Sequence, residues 1–122
     1  MSRTRIKIPF PMFSNLDMRV IIFDDEASYI AFREKAWDQH KNGYASASTW
    51  GRREKDVFLV EIIINRYGIW KGLMVECLVH EAVHATWFMS EHYGVHDDEF
   101  NAYATSFIVQ TLLDKIPVFR GE

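Results

Sequence analysis

The residues from Leu73 to Met89, LMVECLVHEAVHATWFM, constrain the fold more than any other stretch of the chain. Their polar side chains are only Glu76, His80, Glu81, His84 and Thr86, and the apolar ones point in nearly every direction around a helical axis. That pattern predicts a helix buried over most of its circumference. It begins near Trp70, runs through Glu91 and ends at Gly94, a residue able to take the left-handed conformation that closes a helix.

The rest of the chain supplies the elements that cover this helix. TRIKIPF (4–10) and MRVIIF (18–23) read as short strands separated by a loop holding Pro9 and Pro11. DDEASYIAFREKAWDQHKNG (24–43) reads as a helix, with acids at its start, Ala27, Ile30, Ala31 and Trp37 at helical spacing, and Asn42-Gly43 at its end. YASASTW (44–50) and DVFLVEIII (56–64) form a predicted hairpin with its turn around Gly51. A last helix runs from about Asp97 to Lys115 and stops before Pro117. These elements give an α+β fold, with a small, mainly antiparallel sheet and its helices packed on one side. At 122 residues, 48% of them apolar, the chain is sized as a single domain over 1–122 and composed to bury a core.

Within the long helix, His80-Glu81-Ala82-Val83-His84 sets two histidines four residues apart. Positions i and i+4 differ by about 40° around the axis, so the two imidazoles leave one face and can converge on a metal ion. Glu81 is turned about 100° from His80 and can reach a water at the metal without displacing either ligand, which is the reason zinc peptidases use the HExxH spacing. Inside a buried helix these three side chains would carry a desolvation cost that one metal ion relieves. The alternative is a pair of partly buried histidines with ordinary hydrogen-bond partners. Glu76 is either an acceptor for a ligand's second ring nitrogen or a solvated acid. Cys77, near the histidine face, reads as core rather than as a ligand.

A catalytic zinc takes three protein ligands. The metzincin pattern has a glycine three residues and a histidine six residues after the second histidine. Trp87 and Ser90 stand there, which excludes that class. Downstream, GVHDDEFNAYATSF (94–107) offers His96, Asp97, Asp98 and Glu99. The two aspartates suit the cap and first turn of the last helix. Glu99, one residue deeper and on the side of Tyr103 and Ser106, is the first candidate, with His96 and the aspartates as alternatives.

The formal charge of −3 and the scattered lysines and arginines do not suggest a nucleic-acid partner. The densest basic run, GRREK (51–55), contains an acid and reads as a solvated turn rather than as a nucleic-acid or substrate contact. No segment has the apolar length of a secretory leader or a membrane span, and a single cysteine forms no internal disulfide. Both features suit a cytoplasmic protein without a membrane partner.

HEAVH, followed fifteen positions after its second histidine by EFNAY, resembles a family of small metallopeptidases encoded by bacteriophages and prophages. In that family an HExxH helix is followed by a helix carrying an ExxAY-like element. The broader likeness is to gluzincins, whose third ligand is a glutamate on the helix after the motif, and it covers about residues 70–115. Carried across residue by residue, the resemblance implies His80, His84 and Glu99 as ligands of Zn2+, Glu81 as general base and Tyr103 as a nearby supporting residue. It implies a minimal zincin-like fold, in which a small sheet lies beside the HExxH helix and the C-terminal helix. An edge strand, either YASASTW or DVFLVEIII, would pair with an extended peptide or protein substrate. The implied function is a zinc-dependent metallopeptidase, in the host cytoplasm if phage-encoded. His96, Tyr93 and Tyr67 are candidates for the donor that steadies the oxyanion. A second class fits the same residues: a zinc-stabilised phage protein that binds a host or phage protein without significant proteolysis.

Overall fold

The computed structural model describes residues 3–36, 47–66 and 74–116. Along the chain run strands β1 (Arg3–Ile8) and β2 (Leu16–Phe23), helix α1 (Glu26–Ala36), strands β3 (Ala47–Glu54) and β4 (Val57–Asn65), and helices α2 (Met74–Tyr93) and α3 (Asp98–Lys115). The strands form one sheet in the order β1-β2-β4-β3. The outer pairings, β1 with β2 and β3 with β4, are antiparallel, whereas the central β2–β4 pairing is parallel. The fold is α+β, and its sheet is mixed. Between β2 and β4 the chain passes through α1 and β3, a connection long enough to bring β4 back in the direction of β2.

The central strands are covered on both faces. Met18, Val20 and Ile22 of β2, with Phe58, Val60, Ile62 and Ile64 of β4, pack against Leu78, Ala82, Ala85 and Met89 of α2 and Ile108 and Leu112 of α3. Ile21, Phe23 and Ile63 turn the other way and meet Tyr29 of α1 and Trp50 of β3. The expectation that every helix packs on one side is therefore corrected: α1 lies opposite α2 and α3. The cause is in the strands themselves, since VIIF of β2 and III of β4 are apolar without alternation and bury both faces. At the outer edge, β1 does alternate. Its Ile8 is buried and Ile6 half-buried, while Arg3, Arg5 and Lys7 are exposed charges that blunt a free sheet edge.

One carboxylate interrupts the run of β4. Glu61 is buried on the α1 side, where the indole N–H of Trp50 donates to its Oε1 at 2.8 Å. Arg19 stands 3.8 Å from its Oε2 while holding Asp17 at 2.6 Å. The buried charge thus has a donor and a cation, as its desolvation requires.

The ends of α2 and α3 follow local chemistry. Gly94 takes φ 69 and the N–H of Val95 donates to the Ser90 carbonyl at 3.1 Å, a Schellman closure of α2. Asp97 caps α3 by accepting the Glu99 N–H at 2.9 Å, and α3 stops one residue short of Ile116, before Pro117. The expected start of α2 near Trp70 and the expected end of α1, with Trp37 and Asn42-Gly43, lie outside the described residues. No helix among the described residues is long and apolar enough to cross a membrane.

The β3–β4 hairpin differs from expectation in its turn. β3 runs straight through Gly51, and Glu54 faces Val57, so the connection is Lys55-Asp56. Arg52 to Lys55 are exposed as expected, but Gly51 to Glu54 belong to β3 and only Lys55 of GRREK stands in the turn. Gly51 serves packing instead: a Cβ there would lie 2.9 Å from Phe58 Cζ and 3.1 Å from Phe88 Cβ, so the bare backbone is what lets α2 settle on β3. Lys55 takes φ 54, where a side chain is strained.

Two substitutions in this hairpin have opposite expected signs. Gly51→Ala overpacks the α2–β3 contact and costs about 1–3 kcal/mol. Lys55→Gly relieves backbone strain and gains up to about 1 kcal/mol. Urea unfolding of the two variants beside wild type measures both, and equal midpoints in all three proteins would contradict this account of the hairpin.

Candidate metal centre

Helix α2 has a buried face and an open one. Leu78, Ala82, Ala85 and Met89 are fully buried, whereas Val75, Val79, Val83 and Trp87 are 42%, 39%, 53% and 57% exposed. The expectation of a helix buried nearly all round is thus corrected. Apolar residues lie in almost every direction, but those four sit on the solvent side. His80 and His84 share that side and are exposed. Desolvation therefore makes no demand on the histidines, nor are they core residues. It falls on Glu81, which is buried with 6% of its surface accessible.

The histidine rings nonetheless converge. His80 Nε2 and His84 Nε2 are 3.0 Å apart, with ring centroids 4.7 Å apart. Two imidazole nitrogens cannot approach so closely lone pair to lone pair; a proton on one ring or a shared cation must lie between them. Two nitrogens bound to one zinc at about 2.0–2.1 Å stand about 3.0–3.4 Å apart for bond angles between about 95° and 110°. The spacing of this pair fits a metal ion, and neither ring is bonded to another described residue.

Glu81 turns from the opposite flank toward the sheet. Thr49 Oγ1, on β3, donates to Glu81 Oε1 at 2.6 Å and lies 3.3 Å from the Glu81 carbonyl oxygen. One carboxylate oxygen is thereby anchored. The other, Oε2, has no hydrogen-bond partner among the described residues. An anchored carboxylate with one uncommitted oxygen is the arrangement a general base needs. Thr49 was not legible as part of the site, because it lies 32 residues from Glu81 and is an ordinary strand residue.

Of the third-ligand candidates, none is gathered to the pair: among the described residues no three His, Cys, Asp or Glu side chains are close enough together to hold a metal. Glu99 is exposed in the first turn of α3, and its carboxylate is unpaired among the described residues. Asp97 is the N-cap and Asp98 an exposed first-turn acid, as their positions suggest. His96 Nδ1 lies 3.6 Å from Glu91 Oε2. Glu76 is exposed and bonds to no described residue.

The remaining candidates have structural settings. Cys77 packs on the core, and burial, reinforced by the Glu81 charge, pushes its thiol up to about 11, which disfavours the thiolate a metal would need. Tyr93 stacks on Phe13 at 3.8 Å and donates its O–H to Asn15 Oδ1 at 2.6 Å, while burial raises its pKa. Tyr103 is 47% exposed and its ring meets Phe10 and Phe107. Tyr67 lies outside the described residues.

Thr49→Val leaves the buried Glu81 oxygen without its donor, with an expected loss of about 1–3 kcal/mol in unfolding free energy. Thr49→Ser restores most of it. A Thr49→Val protein as stable as wild type would show that the 2.6 Å bond does not hold the carboxylate. Comparison with protein-family models, with curated proteins and with solved structures gives no match. The likeness to the phage metallopeptidases accordingly rests on HEAVH and EFNAY themselves.

Proposed function

We propose that the protein is a zinc-dependent metallopeptidase of gluzincin type with a minimal zincin-like architecture. The observation that carries this reading is the combination on one helix of two histidine nitrogens 3.0 Å apart and a glutamate anchored through one oxygen. A structural metal has no need of a carboxylate held beside it with an uncommitted oxygen. The position of β3 adds support: it is the outer strand of the sheet next to α2, as a peptide-binding edge would be, whereas β4 lies inside.

In this proposal His80 and His84 hold the zinc, and Glu99 takes the third place assigned to it by the resemblance. Its carboxylate at the start of α3 has no competing bond among the described residues, and binding the metal would require it to be brought to the pair, from which it stands apart in this structure. The metal, when bound, polarises a carbonyl and makes water a better acid. Glu81 Oε2 accepts a proton from the attacking water and later delivers it to the leaving amine. Thr49 keeps the carboxylate in one rotamer during both transfers, because Oε1 stays bonded.

A specific feature favours a second reading. Val75, Val79, Val83 and Trp87 form an exposed apolar ridge along α2 beside the histidines. Such a ridge suits contact with another protein, as in a zinc-stabilised phage protein that binds a host or phage protein without significant proteolysis.

Elemental analysis of protein purified without added metal tests the site. The expected result is near one zinc per chain, lost in His80→Ala and His84→Ala and clearly reduced in Glu99→Ala. Equal zinc in Glu99→Ala and wild type would move the third place to His96 or an aspartate. Absence of zinc even after its addition would refute the proposal. On any peptide that wild type cleaves, Glu81→Gln is expected to lower the rate by about 100-fold or more. Full activity in that variant would exclude Glu81 as the base, and a wild type that cleaves nothing in a broad peptide library while binding a partner would establish the second reading.

A further inference from the structure

Helix α2 holds one apolar row in water. Val75, Val79, Val83 and Trp87 follow one another at intervals of four residues, over about 18 Å of helix, and are between 39% and 57% exposed. Their exposed surface, on the order of 350 Å², is in the range of the largest apolar patch on a typical monomer. A row at i, i+4 spacing is also the ridge through which helices most commonly pack on one another. Around the axis Val83 precedes His84 by about 100°, whereas Glu81 lies about 60° beyond it. A body seated on the ridge therefore does not lie over the Glu81 side of the histidine pair.

The ridge is complementary to a second copy of itself. About a two-fold axis through its midpoint, with the helices antiparallel, Val79 meets the partner's Val83 and Val75 meets the partner's Trp87, small against large. The polar residues match in the same register. Glu76 stands one position after Val75, and His80 and His84 stand one position after Val79 and Val83, so all three lie on one flank of the ridge. An antiparallel two-fold pairing keeps that flank on the same side of both helices. It brings the exposed Glu76 of each chain within about one helical turn of the exposed His84 of the other, an acid against an imidazole. A parallel pairing would put the two flanks on opposite sides of the seam and lose this match. The area sets the strength: the ridge is less than half of the roughly 800 Å² that each partner buries in a standard interface, which suits a reversible dimer.

We propose that two copies of the chain associate reversibly through this ridge, antiparallel about Val79 and Val83, with Glu76 of each beside His84 of the other. The contact rests on apolar surface and depends neither on a bound metal nor on peptide cleavage. It makes one flank of the histidine pair part of an interface and keeps the partner away from the Glu81 flank.

Sedimentation velocity of the full chain over a wide concentration range, in chelator and with one equivalent of zinc, tests the proposal. The expected result is a monomer–dimer equilibrium with a dissociation constant on the order of 10–100 µM, present in both conditions. Val83→Asp and Trp87→Asp, at positions more than half exposed, should retain the wild-type circular dichroism and raise that constant about tenfold or more. Glu76→Lys should raise it severalfold. Disulfide formation in a Cys77→Ala background reads the register: a mixture of Val79→Cys and Val83→Cys chains should cross-link ahead of either chain alone. A monomer at every concentration overturns the proposal and leaves the ridge to a different protein. A dimer indifferent to both aspartates places the contact elsewhere, and one abolished by chelator assigns it to a shared metal ion; each overturns the proposal. Cross-linking of each cysteine variant with itself in preference to the mixture, or a dimer unaffected by Glu76→Lys, overturns the antiparallel arrangement.

Discussion

A carboxylate buried between a helix and a sheet must find a donor, and Thr49 provides one for Glu81 at 2.6 Å. Much of the surrounding structure follows from making that bond possible. The strand carrying Thr49 has to lie directly against α2, and it does so because Gly51, two residues on, leaves space for Phe88. The helix in turn presents a fully buried stripe that includes the small Ala82 and Ala85. With Glu81 turned inward and held, the histidines either side of it are left on the open flank, where their ring nitrogens meet at 3.0 Å.

The same geometry divides the labour among the motif residues. Glu81 is fixed by protein on one oxygen and unbonded on the other among the described residues, whereas the histidines are fixed only by the helix that spaces them. A helix is sufficient for two ligands four residues apart, since their separation is a property of its pitch. It cannot supply the third. In the proposed site that residue comes from elsewhere in the chain; Glu99 at the head of α3 is not gathered to the histidines, because the Thr86–Thr105 hydroxyl pair at 3.0 Å and the packing of Phe13 on both Tyr93 and Phe100 set the start of α3 beside the end of α2.

Local signals in the sequence were legible. The cap at Asp97, the glycine closure at Gly94 and the stop before Pro117 are each set by a few neighbouring atoms, and α2 and α3 end where those residues require. β1, β2 and β4 were legible from their β-branched runs, whereas the second half of β3, from Gly51 to Glu54, was not. Long-range features were not. The parallel β2–β4 pairing depends on where α1 and β3 travel, although the unbroken VIIF and III runs already contained the signal that both faces of the sheet are covered. Gly51 looked like a turn because its role is set by Phe58 and Phe88, which the sequence does not place beside it. The exposure of His80 and His84 was hidden for a related reason: Val75, Val79, Val83 and Trp87 carry apolar side chains on the solvent face, so hydrophobic periodicity overstated the burial of α2.

The central claim is that the 3.0 Å separation of the two histidine nitrogens is that of ligands to one metal ion. X-ray absorption at the zinc edge, on protein purified without added metal, addresses it most directly. The account predicts a shell of nitrogen and oxygen atoms at about 2.0–2.1 Å, with the outer-shell pattern of two imidazoles and no sulfur. A sulfur shell at about 2.3 Å, or a zinc environment unchanged when His80 and His84 are replaced by alanine, would contradict it.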